Sequence, residues 1–218
     1  MKKLTAILLI LCLTGCAKEP AESPVASDSG LESGHIAIEG PMTISSNGLY
    51  PFSHENEQLN LQLVTGRYYE DWTPGPLMGR TWTGEFRLVL ADEGGQIKKE
   101  FSLQGYFDEP LVFNSLFEIE FEDYNGDGNA DFTIGQYGSS NGNFYKLFTL
   151  GADDELEELK VRGHRELFIS ATDGRYSTRL EKTGEGSFKK SAYDNSSGKQ
   201  VETVFTWNGT EFVEQSGD

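Results

Sequence analysis

Residues 123–131 read Asp-Tyr-Asn-Gly-Asp-Gly-Asn-Ala-Asp, with side-chain oxygens at loop positions 1, 3, 5 and 9 and glycine at position 6. Hard divalent cations take several oxygen ligands at once. This spacing wraps carboxylates and carbonyls around one centre, which is calcium chemistry. Asp123, Asn125, Asp127 and Asp131 would contribute side-chain oxygens, Asn129 its backbone carbonyl, and Gly128 the sharp turn. The competing reading of the same residues is a polar hairpin connection whose Asx side chains cap successive turns and hold no ion. Position 12 is Ile134 where an EF-hand needs a bidentate Glu, and the flanks, FEIEFE at 117–122 and DFTIGQ at 131–136, alternate as strands do. The loop is therefore not an EF-hand.

The elements that must carry this loop are strands. Apolar residues recur at period two in Phe86-Leu88-Leu90, Phe117-Ile119-Phe121, Leu147-Phe148-Leu150 and Val201-Thr203-Phe205. Turn residues separate them at Asp92-Glu93-Gly94-Gly95, Gly151-Ala152-Asp153-Asp154, Asp173-Gly174 and Asn208-Gly209. The pattern predicts an all-β chain of antiparallel hairpins, a meander forming one sandwich-like or propeller-like domain over 36–218. The best short helix candidate, 153–161, suits a turn followed by an exposed strand equally well. Segments 87–99 and 146–158 echo one another as apolar strand, acidic turn and polar strand, a similarity that shared turn chemistry explains without a repeat array.

The N-terminus predicts where the domain lives. Residues 1–16, MKKLTAILLILCLTGC, place Lys2 and Lys3 before an apolar run too short to span a bilayer, ending in small residues. Leu13-Thr14-Gly15-Cys16 resembles the lipobox of bacterial lipoproteins. That resemblance implies a signal peptide over 1–15, cleavage before Cys16, and lipidation of the Cys16 thiol and the new amino terminus. Two or three acyl chains anchor a protein stably without spanning the membrane. Residues 16–35 are rich in Ser, Glu, Ala, Pro and Gly and read as a flexible linker. With Cys12 removed and Cys16 lipidated, no thiol is left for a disulfide or a thiolate metal site. The expected location is the cell membrane or the outer membrane, facing away from the cytoplasm, with Ala17 after the cysteine favouring the outer membrane in a two-membrane host.

With 35 acidic against 18 basic residues, the formal net charge is −17. The few scattered Lys and Arg cannot neutralise a phosphate backbone, so no nucleic acid partner is expected. The strand-loop-strand context of 123–131 resembles the calcium sites of FG-GAP and VCBS-type repeats, Asp-x-Asp-x-Asp-Gly-x-x-Asp, over about 30 residues from Phe117 through Phe148. Asn125 replaces one acid of that pattern. Integrin heads, adhesins and many bacterial surface proteins carry such repeats, so the resemblance implies a calcium-stiffened β scaffold more than a chemistry.

Other residues offer weaker sites. Tyr68, Tyr69, Trp72 and Trp82 flank a Pro-Gly-Pro segment and form a possible ligand surface for a sugar or peptide, or part of the core. The polar, glycine-rich stretch 135–143 lacks the Gly-Lys-Ser/Thr ending of a phosphate loop and reads as a tight hairpin. His35, His54 and His164 are isolated, and no zinc pattern or Gly-x-Ser-x-Gly elbow occurs. The expected function is a membrane-anchored binding or accessory module, not an enzyme, with an unidentified protein or carbohydrate ligand. The alternatives are a surface hydrolase with its cleft along 68–82 and two facing carboxylates, or a sensory ectodomain.

Overall fold

Period-two patterning becomes fifteen strands and, among the described residues, no helix. The computed structural model describes residues 34–53, 55–170 and 174–215, all within the compact unit Ser33–Asp218. The leader, Cys16, the linker up to residue 33, His54 and Asp173 lie outside the described residues.

The first sheet holds β1 (His35–Ile38), β2 (Met42–Gly48), β3 (Gln58–Asp71), β4 (Gly79–Ala91), β5 (Ile97–Ser102) and β6 (Val112–Phe113). Its spine is the long β3–β4 hairpin, where Leu59, Leu61 and Leu63 face Leu90, Leu88 and Phe86 across the ladder. All six are buried, while Asn60 and Gln62 on the other face are only partly so, which is the pleat expected of a sheet packed on one side. The second sheet holds β7 (Phe121–Glu122), β8 (Ala130–Ser139), β9 (Gly142–Leu150), β10 (Leu156–Glu158) and β11 (Leu167–Ile169). The third is a four-strand meander of β12 (Glu181–Gly184), β13 (Ser187–Asp194), β14 (Lys199–Trp207) and β15 (Phe212–Glu214).

Hairpin β8–β9 is central. Its even-numbered residues Phe132, Ile134, Phe148 and Leu150 join the core built on Leu61 and Phe113. Its odd-numbered Tyr145 and Leu147 join a second core with Tyr124, Phe188, Phe205 and Phe212. Because both faces are covered, Ala130 to Gly135 and Tyr145 to Leu150 are buried without a break. The fold is therefore all-β, a sandwich-like arrangement of three antiparallel sheets with no closed barrel.

Two expectations about local structure resolve here. In 153–161 the turn reading holds over the helix: Gly151 N–H donates to the Glu155 carbonyl, Asp154 N–H to the Gly151 carbonyl, and β10 follows. The alternating run Phe117-Ile119-Phe121 is strand only at Phe121. Ile119 N–H donates to Asn47 Oδ1 at 2.7 Å and Glu120 N–H to Ser177 Oγ at 3.1 Å, so side chains satisfy this backbone where a ladder was expected. The two echoing hairpins, β4–β5 and β9–β10, meet through the Lys99–Glu155 ion pair and a 3.3 Å contact between Lys98 and Asp154.

Candidate functional site

The loop 123–131 joins β7 to β8, and its conformation is written by its own side chains. Asp123 accepts from Gly126 N–H at 2.7 Å through Oδ1 and from Gly128 N–H at 3.1 Å through Oδ2. Asn125 Oδ1 accepts from Asp127 N–H at 3.0 Å, its Nδ2 donates to Asp127 Oδ2 at 2.8 Å, and Asp127 Oδ1 accepts from Asn129 N–H at 2.8 Å. Gly126 and Gly128 have φ of 83° and 82°, a left-handed conformation that other residues adopt only with strain. Among the described residues no three His, Cys, Asp or Glu side chains form a metal-holding group. The loop oxygens are turned onto backbone N–H groups, though each still has a second lone pair.

Asp131 differs from the other four. It lies on β8 with no solvent exposure, on the face turned toward the third sheet. Its Oδ2 accepts from Tyr124 N–H at 2.8 Å and Asn125 N–H at 3.3 Å, tying the strand to the start of the loop. Its Oδ1 and the hydroxyl of Thr149, its partner across the ladder, are both buried without a hydrogen bond of normal geometry. Burial pushes the Asp131 carboxyl up to about 7, against the opposing pull of the Thr149 hydroxyl and the Tyr124 N–H. None of the ion pairs among the described residues involves Asp123, Asp127 or Asp131, so three carboxyl groups in nine residues lack a counter-cation.

The surroundings hold the loop on two sides. The Tyr124 ring enters the second core against Phe188, and its oxygen accepts from Leu180 N–H at 2.9 Å. On the outer side, a Cβ at Gly126 would lie 3.4 Å from Cγ of Glu185, in the β12–β13 turn. Asp127, Gly128 and Asn129 also wall a cleft of about 610 Å³ whose far side carries Glu57 and Lys98. Lys98 is committed there to Glu57, Glu55 and Asp154.

The four aromatics of the possible ligand surface separate. Tyr68 and Trp82 are cross-strand partners with rings 5.6 Å apart, and Trp82 is buried. Tyr69 lies on the opposite face and packs on His35 at 5.0 Å. Trp72 is 65% exposed, its indole N–H donating to Glu70 at 3.1 Å, and Glu70 also takes the Tyr68 hydroxyl. These bonds, Tyr68 first, hold the Glu70 carboxyl below its usual range, and the Thr73 N–H does the same for Asp71. Neither is tuned as a proton donor. His164 packs on Phe205 at 5.6 Å.

Sequence reasoning missed Thr149 and Tyr124, which the register and the two-sided burial of β8–β9 bring to the loop. It also missed Arg175, which a turn signal at Asp173-Gly174 marks only as a neighbour. Comparison with protein families, with curated proteins and with solved structures finds no match to this chain.

Proposed function

We propose that this chain is a membrane-anchored, extracytoplasmic lipoprotein whose β domain is stiffened by calcium at 123–131 and works as a binding or accessory module. The observation that carries the metal assignment is the fully buried Asp131 carboxyl, whose Oδ1 has only the poorly placed Thr149 hydroxyl near it, beside two further carboxylates that pair with no cation among the described residues. A buried oxygen so poorly paired costs about 1–3 kcal/mol, more if charged, and a divalent ion would remove that cost. The donor set fits: it is all oxygen, from Asp123, Asn125, Asp127, Asp131 and the Asn129 carbonyl. Bound calcium would offset two of the loop's three carboxylate charges and tie β7 to β8. The lipid anchor rests on the Leu13-Thr14-Gly15-Cys16 pattern.

The test is a thermal melt of the chain with calcium, with magnesium and with chelator, repeated on Asp127→Ala. For an affinity near 10⁻⁴ M, about 1 mM calcium adds roughly 1.4 kcal/mol, an effect that magnesium does not reproduce and the variant loses. An unchanged midpoint up to several times that concentration overturns the calcium reading. Separately, Cys16→Ala should move the protein from the membrane fraction to the soluble one.

A further inference from the structure

We propose that a cleft at the far end of the central hairpin binds a carbohydrate bearing a carboxylate, with Arg175 holding the acid group and Tyr193 the sugar face. The proposal names a ligand class for the binding module argued above and rests on that reading, but it does not require the ion. From Ala130 to Ser139, β8 runs ten residues, so at about 3.3 Å each the cleft lies roughly 30 Å from the acidic loop.

The cleft has a volume of about 1060 Å³ and draws on all three sheets. Pro76 comes from the β3–β4 connection, Ser139 and Asn141 from the β8–β9 turn, and Tyr193 and its cross-strand partner Gln200 from β13–β14. Asn141 Nδ2 donates to Asn195 Oδ1 at 3.0 Å, joining the tips of the two hairpins. Tyr193 N–H donates to Ser170 Oγ at 2.7 Å, setting the strand that presents the Tyr193 ring, which is 41% exposed.

Arg175 carries the argument. In a chain with almost twice as many acids as bases, its guanidinium pairs with no carboxylate among the described residues. Nη1 donates to the Pro76 carbonyl at 2.6 Å and to Asn114 Oδ1 at 3.3 Å, and the group lies 5.6 Å from the Tyr137 ring centre and 6.0 Å from that of Tyr176. Neutral acceptors, the Tyr176 hydroxyl among them, and ring faces thus fix the guanidinium without neutralising it. A fixed cation in the cleft lining can pair with a ligand carboxylate.

The remaining lining decides the ligand class. Hydroxyls, amides and an exposed phenol ring match vicinal sugar hydroxyls and a sugar face. With one cation in the lining and a net charge of −17, polyanions are repelled, which favours a mostly neutral body carrying an occasional acid over an acidic peptide.

The test is a ¹H–¹⁵N NMR titration of the full chain with cellobiouronic acid, its neutral counterpart cellobiose, and the tripeptide acetyl-Gly-Glu-Gly, at low ionic strength in chelator. The expected result is saturable binding of the acidic disaccharide, with cellobiose weaker by about tenfold or more, as loss of a charged hydrogen-bonded pair implies. Arg175→Gln should lose the preference for the acid, Tyr193→Ala should weaken both sugars, and Tyr193→Phe should keep them. If Arg175→Gln fails to fold, the Tyr193 pair at its exposed position still decides. Equal binding of the two disaccharides, equal or tighter binding of the tripeptide, or no binding up to about 10 mM overturns the proposal. Because chelator is present throughout, sugar binding without any calcium effect on melting would sink the metal reading and leave this one standing.

Discussion

The two ends of the β8–β9 hairpin both carry uncompensated charge, but of opposite sign and by opposite means. At the loop end, Asp123, Asp127 and Asp131 pair with no cation among the described residues, and apart from Asp131 Oδ1 the loop turns its carboxylates onto its own backbone. At the turn end, Arg175 has no carboxylate among the described residues and is held by a carbonyl, an amide and two rings. Elsewhere the acids and bases find one another: buried Lys146 takes Glu158 at 2.5 Å, and Lys189 spans Glu181 and Glu202. In our proposals, calcium meets the charge at one end and a carboxylate-bearing ligand the charge at the other. The anionic end is built from contacts within nine residues, the cationic end from segments far apart in the chain.

The largest expected effect tests whether the two ends share one scaffold. Phe148 is fully buried in mid-β9, stacked on Phe132 at 5.8 Å and edge-on to Tyr106 at 5.1 Å. Phe148→Ala should cost about 3–5 kcal/mol in urea denaturation, as truncation of a large core ring does. Signals from the loop and from the Arg175 cleft should then fall together in one transition shifted to lower urea. Two separated transitions would show that the ends belong to independent units, and the comparison would break.

The next effect sharpens the anionic end. Asp131 has its folded carboxyl raised to about 7 from an ordinary 3.8. A raised folded value means the native state binds the proton more tightly. Its contribution is therefore complete below about pH 4 and is lost as pH rises through 7, on the order of 4 kcal/mol. In chelator, stability should decline over that interval. Calcium should flatten the decline by favouring the charged form. Asp131→Asn should abolish the slope and the calcium response together, while at neutral pH in chelator it should match or exceed the parent, since its amide can donate to the orphaned Thr149 hydroxyl. A pH slope that survives Asp131→Asn would place the titration elsewhere.

What could be read in advance follows the same division. The loop was legible because turn chemistry is local: each of its side-chain bonds spans at most seven residues. The alternation of Phe86, Leu88 and Leu90 was legible because Glu85 and Arg87 stand beside and between them on the less buried face, although Val89 on that face is buried too. The same reading failed at Phe117 and Ile119, since alternation reports which side is buried and not which group takes the backbone, here Asn47 and Ser177. The burial of Asp131 was not legible, because Asp131 and Thr133 alternate with Phe132 and Ile134 as in a strand with one wet face, whereas β8 is covered on both faces. Arg175 reaches its partners across 99 and 61 residues, distances at which no spacing rule applies. The aromatic group at 68–82 was legible as residue types but not as a surface, since adjacent Tyr68 and Tyr69 go to opposite faces.

The smallest effect asks whether the loop holds itself or is held by the third sheet. Tyr124 is the second residue of the loop, and its hydroxyl is the acceptor for Leu180 N–H. Burial raises the phenol above its usual range, so it serves there as a neutral group. Tyr124→Phe keeps the ring against Phe188 but leaves that N–H buried and unpaired, a cost of about 1–2 kcal/mol by urea denaturation. The calcium increment in melting should be unchanged, because the bonds from Asp123, Asn125 and Asp127 to the loop backbone do not involve the phenol. If the increment disappears with the hydroxyl, the loop is shaped by its anchor in the second core. The contrast between a locally built anionic end and a globally built cationic one would then give way to a single fold-wide origin for both.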